Sequence, residues 1–500
     1  MALSLVKTKY GVVQGTEEGK AAVFKGIPYA APPVGELRWR APQPPVPWEG
    51  VRSCTQFASA AMQFYNSDPT SFYGKEFPVW NGLTFSEDCL YLNIWTPAQS
   101  PDEKLPVMMW VHGGGNVSGY SYEPEFDGKA LASRGVIYVS VGFRLNVFGF
   151  LAHPELTAES GYGGSGNYGH LDQLAAARWL RENIGAFGGD PENITLFGQS
   201  GGAHDVQIMA TSPLFAGVID KGISQSGGGG ASMMGAVPLA EGEALGLEFQ
   251  KAAGCSNLKE LRALPAEKLL EVVGKMGVGM MRMGTVIDQY LCFGDTSEML
   301  RTGKARDIPM MIGCCSHEGG RMGMLPPGVK KDLAYINGQL IRCFPLAAEK
   351  MQSIYGIVTE QDAADFSRDL MADGMLYGYQ LWARAQDQAG KTAAYVYCFD
   401  HPLPDEDGNP SPEGAFHSSE LWYMHGTLDR CWRKMGEEDR RISDEMMAAW
   451  TNFAKTGNPN GEDAPVWEPY TCSNPQIMVF GTPTGMQKLE DHPAVKVFAK

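Results

Sequence analysis

Short apolar runs, each closed by a glycine-rich or polar turn, recur along the chain. Pro106–Val111 (PVMMWV) leads into HGGG, Val136–Val141 (VIYVSV) into Gly142, Ile194–Phe197 (ITLF) into GQSGG, and Gly222–Ser224 into QSGGGG. Ile308–Cys314 (IPMMIGC) leads into Ser316–Gly320, and Ala393–Phe399 (AAYVYCF) into Asp400-His401-Pro402. Runs this apolar, bounded by turn signals, predict strands buried on both faces. Helical spacing appears between some of them. Leu171, Leu174, Ala175 and Trp179 share one face of a helix predicted over 171–184. Near the end, Ile442, Met446, Ala449, Trp450 and Phe453 form an apolar stripe, with Gly457 and Pro459 behind it as stop signals. Strands alternating with helices predict an α/β chain with a mostly parallel central sheet and helices on both faces. Ligands of such sheets gather at the carboxyl ends of the strands. Every glycine-rich motif above sits at that end of its predicted strand.

Bulk properties narrow the picture only a little. No internal repeat, low-complexity linker or composition shift divides the 500 residues, so a single domain over 1–500 is expected. A 44% hydrophobic and 20% charged composition suits a large buried core. The formal net charge of -16, with no Lys/Arg-rich run, argues against nucleic acid and anionic membranes as partners. The N-terminal MALSLVKTKYGVVQG lacks a secretory signal's long apolar run, and no segment reaches the roughly 18–20 apolar residues of a membrane span. A soluble, intracellular protein is therefore expected. The ten cysteines are irregularly spaced, without a Cys-x-x-Cys pair, which fits buried reduced thiols better than zinc ligands.

One motif carries chemistry directly. Gly198-Gln199-Ser200-Gly201-Gly202 is the only G-x-S-x-G in the chain. A predicted strand precedes it, and Ala203–Ala210 can form a helix after it. A serine on such a strained strand-to-helix turn is exposed for attack, and its flanking positions must lack bulk. The helix N-terminus would face the negative charge that develops on the attacked carbonyl. His112-Gly113-Gly114-Gly115 directly follows another predicted strand, which suits an oxyanion hole built from backbone amides. The expected donors are Gly114, Gly115 and Gly201, with His112 structural.

A serine hydroxyl needs a base. His204 is too close in sequence to Ser200, while His153, His401 and His492 each precede a proline and read as loop residues. The chain order serine, acid, histidine favours His417 or His425. An acid to orient the imidazole should follow a strand between them. Glu318 stands there, after IPMMIGC, with Asp288, Asp307 and Asp400 as rivals.

With these residues in place, the chain resembles the type-B carboxylesterase family, the α/β hydrolases that include cholinesterases, bile-salt-type lipases and bacterial aryl esterases. Phe24–Val51 (FKGIPYAAPPVGELRWRAPQPPVPWEGV) is similar to the family's N-terminal signature, and Ser86–Trp95 (SEDCLYLNIW) to its second one. GNYGHLDQ (Gly166–Gln173), NIGAFGGDPENITLFGQSGG (Asn183–Gly202) and WTNFAKTGNPNG (Trp450–Gly461) extend the likeness over nearly the whole chain.

The resemblance implies a triad of Ser200, Glu318 and His417, with no metal or cofactor. It implies hydrolysis of a small-molecule carboxylic ester through an acyl-enzyme. It also places Ser226 where relatives carry a serine near the acid. Three departures matter. The family commonly has Glu-Ser-Ala-Gly at the elbow, where this chain has Gln199-Ser200-Gly201-Gly202. Gln199 removes a negative charge beside the base, which turns the expectation from cationic esters toward small to medium neutral ones. The usual His-Gly pair is His417-Ser418, with Glu420 at the following acidic position. Cys89 matches a family cysteine, but Met62 stands where its partner would be and Cys255 also lacks one, as expected of a bacterial cytoplasmic protein. Gly274–Gly284 (GKMGVGMMRMG) offers adaptable methionines for an apolar pocket or core. An acyltransferase or amidase using the same triad, and a non-catalytic binding protein on this fold, are the alternatives. The loop from Gln63 to Thr84 has no role readable from sequence.

Overall fold

The computed structural model describes residues 3–65, 68–228, 235–277, 283–319, 332–343, 348–366 and 370–498. The methionine-rich Gly274–Gly284 segment therefore lies partly outside the described residues. The chain divides into two compact units, Met1–Lys221 with Ala236–Asp295, and Gly222–Gly235 with Thr296–Lys500.

In the first unit the sheet is built from β1 (Thr16–Glu18), β2 (Ala21–Pro28), β3 (Tyr91–Thr96), β4 (Leu105–Val111), β5 (Ile137–Val141) and β6 (Gly189–Gln199). The order is β6-β4-β5-β3-β2-β1. β6, β4 and β5 are parallel; β3, β2 and β1 add antiparallel. Val107–Val111 and all of β5 are buried, as their largely apolar character requires. Helix α1 (Tyr168–Asn183) precedes β6, and α2 (Gly201–Thr211) follows it. Every residue of α2 is buried, so this helix belongs to the core rather than to an amphipathic surface layer.

In the second unit, β7 (Lys221–Gln225), β8 (Met310–Cys315), β9 (Ala394–Phe399) and β10 (Gln476–Phe480) run parallel in that order, and β11 (Gly485–Lys488) closes the edge antiparallel. α3 (Leu370–Ala389) packs on β8 and β9. α4 (Glu437–Thr456) buries the predicted stripe of Ile442, Met446, Ala449, Trp450 and Phe453. It ends at the predicted Gly457, which takes φ +79° and donates its N–H to the Phe453 carbonyl at 2.7 Å.

Candidate active site

In the first unit, register brings two loops to one end of the sheet. β6 pairs with β4 so that Phe197 lies opposite Trp110 and Gly198 opposite Val111. The chain leaves both strands at adjacent points, into Ser200 on one side and His112–Gly115 on the other. Ser200 takes φ +56° and ψ -121° as the N-cap of α2, a backbone conformation that a side-chain-bearing residue holds only at a cost of about 1–3 kcal/mol. The glycines around it are required by space. A Cβ on Gly198 would lie 2.7 Å from the Val111 carbonyl oxygen, and one on Gly202 would strike the same oxygen. A Cβ on Gly201 would sit 2.7 Å from the Gly115 nitrogen, so the start of α2 and the HGGG loop are in direct backbone contact. Gly114 and Gly115 have φ of +96° and +63°, which open the loop so that the Gly114 carbonyl accepts from the Val117 and Ser118 amides.

His112, Gln199 and His204 are buried neighbours of the two loops. His112 is buried, stacks on Phe143 at 4.6 Å, and is pushed down to about 4 by burial. It is thus a neutral packing residue at neutral pH. Gln199 is buried on the end of β6, with Oε1 only 3.0 Å from where a Gly113 Cβ would stand. His204 points into the core from α2 and is also held near 4 by burial.

In the second unit, β8 runs into the loop that carries Glu318, which is wholly buried. Its Oε1 accepts from Ser226 Oγ at 2.5 Å and from the Cys315 amide at 2.8 Å. Its Oε2 is hydrogen-bonded to Nδ1 of His417. A carboxylate can only accept, so Nδ1 carries the proton and Nε2 keeps its lone pair. The backbone fixes the pair as well: His317 donates its N–H to the Ala415 carbonyl at 3.0 Å and bridges Phe416, next to His417. Burial pushes the His417 imidazolium down. The charge and hydrogen bond of Glu318, with the charge of Glu420 behind them, outweigh burial, and the net shift is upward.

The sequence places Glu420 after His417 without giving it a partner, and does not single out Tyr379. Glu420 is buried and accepts from Cys315 Sγ at 3.0 Å. Burial, then the charge of Glu318, raises it to about 7. The Tyr379 hydroxyl, on α3, accepts from the Gly227 amide at 2.9 Å next to Ser226. Nothing in the spacing of residues 152 apart signals that contact.

Other partners hold the side chains of His425, Asp288 and Asp307. His425 hydrogen-bonds the Leu421 carbonyl at 3.3 Å and falls to about 3 by burial. Asp288 Oδ1 accepts from the Tyr290, Leu291 and Cys292 amides and braces a loop. Asp307 accepts from Thr392 at 2.5 Å, and the Asp400 backbone N–H pairs with the Phe480 carbonyl. His153, His401 and His492 bind Gln250, Asp439 and Asp373 respectively. Among the described residues, no three His, Cys, Asp or Glu side chains are grouped to hold a metal, and no helix is long and apolar enough to cross a membrane. Cys54, Cys89, Cys292, Cys314 and Cys315 are buried free thiols.

A serine elbow at the carboxyl end of β6, beside the parallel strands β4 and β5, points to an α/β hydrolase, and solved structures agree. A thermophilic PNB esterase superposes with a TM-score of 0.84 at 31% identity, covering 99% of each chain. The carboxylesterase family model matches residues 2–497, and the chain belongs to that family. It is 35% identical over 490 residues to the para-nitrobenzyl esterase of Bacillus subtilis (strain 168), covering 94% of this chain and 93% of that one. It is 34% identical over 494 residues to the fumonisin B1 esterase of Sphingopyxis macrogoltabida, covering 96% and 86%. The protein is an enzyme, a carboxylesterase.

Proposed function

We propose that the chain acts as one catalytic domain in which Ser200, Glu318 and His417 hydrolyse small to medium neutral carboxylic esters. His417 Nε2 takes the proton from Ser200 Oγ as that oxygen bonds to the ester carbonyl carbon. The amides of Gly114, Gly115 and Gly201 stabilise the resulting oxyanion. His417 then gives its proton to the departing alkoxide, leaving the acyl group on Ser200. Water, deprotonated by the same imidazole, attacks the acyl-enzyme and releases the acid, and the proton returns to Ser200. Glu318 accepts the Nδ1 hydrogen bond and stabilises the imidazolium.

The buried Glu318–His417 hydrogen bond carries this reading. It holds the imidazole in the tautomer a general base needs and gives its positive form a partner. The elbow conformation of Ser200 is the second support. The neutral-ester preference rests on the uncharged, buried Gln199 beside the nucleophile. The buried thiols support a reducing, cytoplasmic setting. The acidic surface gives no hold for nucleic acid.

The pH profile tests the base. The shift on His417 is upward, so protonation removes the base below a pH higher than the ordinary imidazole value of about 6.5. The kcat/KM for p-nitrophenyl acetate and butyrate should therefore fall on the acid side with a midpoint above that value. A flat profile down to about pH 4 would exclude a histidine base. In the same assay p-nitrophenyl butyrate should be turned over in preference to butyrylcholine. Added alcohol acceptors should leave acid as the main product; predominant transfer to the alcohol would make the protein an acyltransferase instead.

A further inference from the structure

The proposed oxyanion hole draws its donors from two elements that are far apart in sequence. Gly114 and Gly115 come from the loop after β4, and Gly201 from the start of α2. Their separation must hold within about half an ångström for all three amides to reach one oxygen. Backbone packing alone sets a lower limit, because a Gly201 Cβ would lie 2.7 Å from the Gly115 nitrogen and 3.1 Å from that of Asn116. Something must also keep the loop from moving away.

A buried side-chain bridge lies at that point. Asn116 directly follows Gly115, is 1% exposed and takes φ +59°. Its Nδ2 donates at 2.8 Å to Oδ1 of Asp205, a wholly buried residue of α2 one turn beyond the elbow. The other oxygen, Oδ2, accepts from Gln173 Nε2 on α1 at 2.6 Å. His170 Nδ1 stands 3.6 Å from Oδ1, and burial pushes that imidazole down to about 4, which leaves it neutral. Asp205 therefore meets neutral donors, an expensive way to bury a carboxylate. Burial raises it to about 6, opposed by the neighbouring His204 and the two amides.

The far side of the loop is anchored too. The Asn116 carbonyl accepts from the Asn146 amide at 2.7 Å, and Asn146 Nδ2 reaches the Met62 carbonyl at 2.8 Å. Gln63 then exchanges two bonds with the backbone of Gly119, at 2.7 and 2.8 Å, as a strand would. The first residue of the Gln63–Thr84 loop thus has a structural task, to brace the oxyanion loop from outside.

We propose that Asp205 and Asn116 are positioning residues that tether the oxyanion loop to helix α2 and so set the distance between the loop amides and that of Gly201. The proposal rests on the esterase reading above. A tether of this kind matters most when charge appears on the carbonyl oxygen, so its loss should lower kcat rather than raise KM.

Asn116→Gly is the direct test, since glycine keeps the left-handed backbone and removes only the side-chain bond. Asp205→Asn is the second, because it keeps the volume but can no longer accept from both amides as the carboxylate does. Wild type, Ser200→Ala and both variants are compared for p-nitrophenyl butyrate hydrolysis and for inhibition by a trifluoromethyl ketone, whose adduct places an oxyanion in the hole. The kcat of each variant should fall between about tenfold and a hundredfold, with KM within about threefold. Affinity for the ketone should fall by the same factor as kcat/KM. An Asn116→Gly enzyme with kcat and ketone affinity within twofold of wild type would overturn the tether and leave the esterase reading intact. So would a rise in KM alone. A wild type no faster than Ser200→Ala would bring down both.

Discussion

The Ser200→Ala variant is expected to hydrolyse p-nitrophenyl butyrate about a million-fold more slowly than wild type, with its fold retained. The change removes one oxygen. The backbone at this position is already held at φ +56° by the turn between β6 and α2, and alanine meets the same cost there as serine. Loss of the nucleophile closes the acyl-enzyme route, and the oxyanion amides and bound water alone give only a small residual rate. Circular dichroism and the unfolding temperature should match wild type. A variant that keeps more than about a tenth of the wild-type kcat would show that another residue is acylated.

Glu318→Gln is expected to produce the second largest effect, a fall in kcat on the order of ten-thousand-fold. Glutamine can still accept from Ser226 Oγ and the Cys315 amide through one oxygen, so the buried site stays satisfied on that side. The other oxygen becomes an NH2 facing Nδ1 of His417. The ring must then accept at Nδ1, which puts its proton on Nε2 and leaves no lone pair for the serine proton. Folding should survive, because the substitution removes a buried negative charge that also repels Glu420. A loss of only a few-fold would mean that Glu318 is a packing residue and that another group orients the base.

The parallel core is legible from hydrophobic pattern because its strands are buried on both faces. Runs such as VIYVSV leave little alternative. The antiparallel strands are not legible this way, and the reasons are local. β2 reads AAVFKGIP, and a register shift between Phe24 and Ile27 breaks its pattern. β3 carries Asn93 in its middle, a polar residue that is nevertheless buried. It is satisfied there by the Gly26 amide and the hydroxyls of Ser121 and Ser140, partners that only the fold supplies. Helix α1 begins at Tyr168, before the predicted stripe, since twelve of its sixteen residues are buried and its apolar face has no sharp edge.

The candidate site shows the same division. The elbow and the HGGG loop are contiguous motifs whose glycines answer local steric demands, so spacing alone finds them. The choice of Glu318 and His417 over Asp288 and His425 depends on hydrogen bonds between segments 99 residues apart. Pattern narrows that choice, and family likeness points to one pair. Asp205 and Asn116 lie beyond both. One sits in a helix and the other behind a glycine run, and only their distance in space reveals a connection.

The most direct test of the central claim is to inactivate the enzyme with a stoichiometric fluorophosphonate and locate the adduct by peptide mass mapping. The account predicts one phosphonyl group, on Ser200, appearing in step with loss of esterase activity. Inactivation with the adduct on a different residue would contradict it.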